Sequence, residues 1–124
     1  MTGTSYSIII GSNVTTLSNF SFTEIYTAAT TTAPALYSTT SNYTLASTEL
    51  GGSVTVTTVS PLQQYGTRLY PFAGQFVVTG STNSKIRVTI LGDETHVGDD
   101  VQIEIDANGD GTYETSLLRD WSAL

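Results

Sequence analysis

The sequence contains no cysteine, which excludes disulfides, thiolate metal sites and cysteine nucleophiles. It has a single histidine and only 4 Lys and Arg against 11 Asp and Glu, for a formal net charge of −7. Nucleic acid is excluded as a partner, because neutralising phosphates requires clustered Lys and Arg. Anionic membrane surfaces are excluded on the same ground. Uninterrupted apolar runs are short, as at Ile8–Ile10, far from the length that crosses a bilayer. Met1-Thr2-Gly3 has neither the basic nor the apolar region of a signal peptide, so export would require a leader removed beforehand. Charged residues make up 12%, about half the usual share.

What fills the gap is Ser and Thr, nearly a third of the chain. Branched Cβ atoms favour extended backbone, and surface helices rely on residues scarce here. At 124 residues the length fits one β-domain spanning 1–124. Within it, 1–41 reads as N-terminal strands plus a low-complexity loop, and 42–124 as a meander. Strand patterns recur at Tyr6–Ile10, Phe20–Tyr26 and Asn42–Ala46, and from Val54 after the Gly51-Gly52 turn. Residues 27–41 read as loop, and 60–73, with Pro61, Gly66 and Pro71, as irregular. Gln75–Thr79, Lys85–Leu91, Val101–Ile105 and Tyr113–Leu118 follow between clear turns, and the Lys85 and Val101 segments alternate apolar and polar. The expectation is an all-β antiparallel meander of seven or eight strands, forming a sandwich or small barrel. Trp121 and Leu124 are expected to close one end of its core.

The acids are unevenly placed. Residues 1–67 hold only Glu24 and Glu49, and the rest lie between Asp93 and Asp120. Asp106-Ala107-Asn108-Gly109-Asp110-Gly111-Thr112-Tyr113-Glu114 sets oxygen-bearing side chains at alternate positions of a tight reversal. Ca²⁺ takes six to eight oxygen ligands, and this spacing offers Asp106, Asn108, Asp110, the Thr112 carbonyl and Glu114. The twelfth loop position is Leu117 instead of a bidentate Glu, so affinity is expected in the range of about 10⁻⁴–10⁻³ M. The competing reading is a metal-free turn, since Asn and Gly tolerate positive φ and Asp caps its own turn. That reading accounts for both glycines but not for three spaced carboxylates, which repel without a cation.

A second acidic group, Asp93, Glu94, Asp99 and Asp100, surrounds His96. The Val101–Ile105 strand spans roughly 17 Å, which places the two groups at opposite ends of it. No Gly-x-Ser-x-Gly turn presents a nucleophile to His96, so the chain reads as non-enzymatic. Sequons at Asn13, Asn19 and Asn42 follow from abundant Ser and Thr. Partners then narrow to other proteins or further copies of the chain. An uncharged Tyr6–Ile10 strand offers self-assembly into a filament or surface layer by strand addition. Tyr26, Tyr37, Tyr43, Tyr65 and Tyr70 offer, as a lesser alternative, a glycan-stacking surface.

Several segments carry a family likeness. They are Asn42–Leu45, Leu50–Val56, Tyr70–Gly74, Thr79-Gly80, Ser84–Thr89, Asp106–Gly111 and Trp121–Leu124. On these, residues 42–124 resemble the C-terminal β-domain of uncharacterised secreted proteins and lipoproteins of proteobacteria. The resemblance implies β-structure and an extracellular, cell-surface or periplasmic setting, and no assigned activity. The lipid-bearing cysteine of such lipoproteins is missing, which leaves membrane anchoring unsupported.

Overall fold

Thr- and Val-rich alternation folds here entirely as strand. The computed structural model describes residues 1–92 and 100–121. Its strands are β1 (Thr2–Ile10), β2 (Asn13–Thr27), β3 (Leu36–Ser47), β4 (Gly52–Tyr65), β5 (Ala73–Thr79), β6 (Lys85–Ile90), β7 (Asp100–Asp106) and β8 (Thr115–Asp120). All eight join one antiparallel sheet in sequence order, so the expected meander is present. It neither closes into a barrel nor divides into the two sheets of a sandwich; β1 and β8 are its edges.

Three boundaries differ from the sequence reading. Residues 27–41 are not one loop, because β3 begins at Leu36 and runs through the 41/42 boundary. Here the strand propensity of Thr and Tyr outweighs low complexity. Residues 60–73 are not irregular throughout, since β4 continues past Pro61 to Tyr65. Pro61 is tolerated because register shifts lie between the Ser60↔Gln75 and Gln63↔Ala73 pairs, so its missing N–H breaks no rung. Finally, β8 starts at Thr115, leaving Tyr113 and Glu114 in the preceding reversal.

Pairing sorts the side chains by face. Leu17, Leu45 and Val54 align across β2, β3 and β4. Tyr43, Val56, Val78, Ile86 and Ile105 form a second row, and Phe76, Val88, Ile103 and Leu117 a third. Tyr6, Ile8, Phe22 and Tyr26 extend the same face through β1 and β2. The opposite face is mainly Ser, Thr, Gln and charged residues, interrupted by Ile9, Val14, Ile25, Leu36, Tyr65, Val77 and Leu118. One apolar face therefore crosses the whole sheet, as the alternation requires.

Burial is sparse for a chain of this length. Among the described residues only Phe72, Val88, Ile90 and Val101 form a buried apolar core. Every position of β3 and β5 is half-buried, whichever face it serves. The Trp121 ring stacks on Tyr70 at 5.9 Å. Leu124 lies outside the described residues.

Candidate metal centre

β7 delivers Asp106 and β8 departs at Thr115, so the acidic loop is the β7–β8 reversal. Asp106 is fully buried, and its carboxylate gathers the loop. Its Oδ1 accepts the Gly109 N–H at 2.7 Å and its Oδ2 the Gly111 N–H at 3.0 Å. Both glycines sit at positive φ, +77° and +93°, a region that side chains with a Cβ rarely adopt. Gly109 also packs against the β5–β6 turn, where a Cβ would lie 2.8 Å from the Thr82 carbonyl oxygen. The Asn83 amide donates to the Gly109 carbonyl at 3.0 Å, joining the two turns.

The other donors form a chain of local bonds. Asn108 Oδ1 accepts the Asp110 N–H at 2.8 Å, and its amide donates to Asp110 Oδ2 at 3.1 Å. The Thr112 N–H donates to Asp110 Oδ1 at 2.7 Å. Glu114 Oε2 reaches back to the Ala107 N–H at 3.0 Å. The Asp110 carboxyl is held below its ordinary range, first by the Thr112 N–H, then by the Thr112 hydroxyl and the Asn108 amide. It is therefore anionic at neutral pH.

Asp106, Asp110 and Glu114 each bring a carboxylate oxygen within 4.8 Å of the others. Two oxygens bound to one Ca²⁺ at about 2.3–2.6 Å cannot be more than about 5 Å apart. The three carboxylates can thus hold one metal ion. Of the five residues singled out from sequence, these three converge directly. Asn108 joins through its bonds to Asp110, and Thr112 through its N–H.

The support beneath the loop leaves little trace in the sequence. On the polar face Arg87 and Glu104 are cross-strand partners with two bonds, at 2.7 and 2.8 Å. The Arg87 guanidinium lies 4.1 Å from the centre of the Tyr113 ring, fixing the returning limb one residue before Glu114. Only the opposite charges hinted at this; their pairing depends on register between β6 and β7. The hydrogen bond from Arg87 holds the Glu104 carboxyl below its usual range, and the same bond raises Arg87 further. With its folded pKa depressed, Glu104 contributes stability above about pH 4.3 that is lost as pH falls through the lower folded value. Glu104→Gln is expected to cost about 1 kcal/mol at pH 7. It should also reduce the drop in urea midpoint between pH 5 and pH 3. A drop equal to that of the parent chain would contradict the pairing.

The acidic group around His96 falls largely on 93–99, outside the described residues. Asp100 opens β7 and Asp106 ends it, so this member does sit at the far end from the metal centre. Among the tyrosines, Tyr65 stacks on Phe72 at 4.6 Å and Tyr70 on Trp121, while Tyr26 packs on Tyr37 at 5.2 Å. Tyr43 packs on Phe22 at 5.7 Å, and Tyr26 is exposed. Comparison with protein families, curated proteins and solved structures returns no match.

Proposed function

We propose that this chain is a non-enzymatic structural or interaction domain, working outside the cytoplasm, whose β7–β8 reversal is ordered by Ca²⁺. The observation that supports the ion is the convergence of Asp106, Asp110 and Glu114 oxygens to within 4.8 Å of one another, a spacing at which one cation can be held. The donors that converge directly are carboxylates, hard ligands that suit Ca²⁺ better than the nitrogen- and sulfur-seeking transition metals. A loop of local turns adapts to the irregular geometry Ca²⁺ accepts, whereas Mg²⁺ demands a near-ideal octahedron. The role is stabilising: neutralising three carboxylates locks the reversal onto the β5–β6 turn. The extracytoplasmic setting is supported by the Ser/Thr-rich, Lys-poor composition and by the resemblance of residues 42–124 to exported domains. The non-enzymatic reading is supported by a single histidine and no cysteine.

At 10 mM Ca²⁺ and a Kd of about 10⁻⁴–10⁻³ M, binding adds roughly 1.4–2.7 kcal/mol. That corresponds to a rise of about 5–10 °C in the calorimetric midpoint for a chain of this size. Chelator should reverse it. An unchanged midpoint in millimolar Ca²⁺ would remove the ion from the account.

A further inference from the structure

We infer that a second copy of this chain covers the apolar face of the sheet, making a two-fold sandwich from two open sheets. A sheet with one apolar face buries it against another layer; here Val88, Ile90 and Val101 are buried at one end of the face, while among the described residues no second sheet or helix lies over the rest, where Tyr6, Ile8 and Tyr26 are exposed. Two apolar grooves open on the face, one of 270 Å³ along Phe22, Tyr43, Val56 and Phe76, the other of 330 Å³ beside Val78 and Ile86. The chain exposes 7679 Å². A folded monomer of 13.2 kDa exposes about 6,400 Å², so roughly 1,300 Å² is in excess. A standard stable interface removes about 800 Å² per partner, and one copy of the same face supplies that area.

Charge placement selects a copy of the chain and the symmetry axis. Two charged residues share the apolar face by register, Glu24 opposite Thr39 in β2 and Arg119 opposite Val101 in β8. Both lie toward the C-terminal ends of even-numbered strands, hence at the same end of the sheet and near opposite edges. A two-fold axis parallel to the strands lays β2 over β7 and β8 over β1. It brings Glu24 of each copy toward Arg119 of the other, twice per dimer, as an isologous contact requires. The aligned packing of two twisted sheets, about 30° apart, accommodates this arrangement.

The inference rests on the interaction reading proposed above but not on the cation, so association is measured by sedimentation velocity both in Ca²⁺ and in chelator. A dimer is expected in both. Val56→Glu, at the centre of the apolar face, should weaken it at least a hundredfold, whereas Thr55→Glu, one residue away on the polar face, should leave it unchanged. Glu24→Lys should weaken it roughly tenfold, since each exposed pair is worth a few-fold and the pair occurs twice; Glu24→Lys with Arg119→Glu should restore it. If Val56→Glu fails to fold, the charge pair alone decides. A monomer at all concentrations, a dimer indifferent to Val56→Glu (the mark of edge-to-edge strand addition through β1), or no rescue by the second charge reversal would each overturn the proposal.

Discussion

Asp106→Ala is expected to lower unfolding stability by about 2–4 kcal/mol, because it strips acceptors from two backbone N–H groups at once. Gly109 and Gly111 both donate to this one buried carboxylate, and neither glycine can relax far without giving up the turn. Asp106→Asn separates the two jobs of the side chain. Its carbonyl oxygen still serves one N–H while its NH₂ opposes the other, so about 1–2 kcal/mol should be lost. The Ca²⁺ response should vanish in both variants, since a ligand charge is gone. Urea denaturation with and without Ca²⁺ measures each term. Near-parental stability of Asp106→Ala would mean that the reversal is held by something other than this carboxylate.

Phe72→Ala is expected to cost about 3–5 kcal/mol, the usual penalty for emptying a large buried aromatic site. Phe72 is 7% exposed, stacks on Tyr65, and lies under the Arg68 guanidinium at 5.9 Å. With so few buried apolar residues, that is a large share of the roughly 5–15 kcal/mol that holds a domain together. Leu69→Ala, three residues earlier and 78% exposed, should stay within about 0.5 kcal/mol of the parent. Equal effects at the two positions in denaturant titrations would contradict the placement of the core.

The second half of the sheet was legible because Ile86, Val88 and Ile90, then Val101, Ile103 and Ile105, alternate cleanly between Gly- and Asn-bearing turns. The first half was less so. Thr30-Thr31-Thr32 and its neighbours give no contrast between faces, and the start of β3 is marked only by Leu36 and Tyr37. Pro61 reads as a breaker until the β4–β5 register shifts are seen to absorb it. The acidic loop was readable as alternate oxygens, since its bonds span few residues. The Arg87–Glu104–Tyr113 support was not, because a contact across strands is encoded in register. The open face was also hidden: alternation demands that one side be covered, yet carries nothing about what covers it.

An amide-resolved NMR titration of the whole chain with Ca²⁺ tests the metal centre most directly. Saturable shifts are expected at Gly109, Gly111 and Thr112, whose N–H groups donate to the Asp106 and Asp110 carboxylates, together with their loss in Asp106→Asn. Shifts scattered over every exposed acid, or none at these three amides, would contradict it.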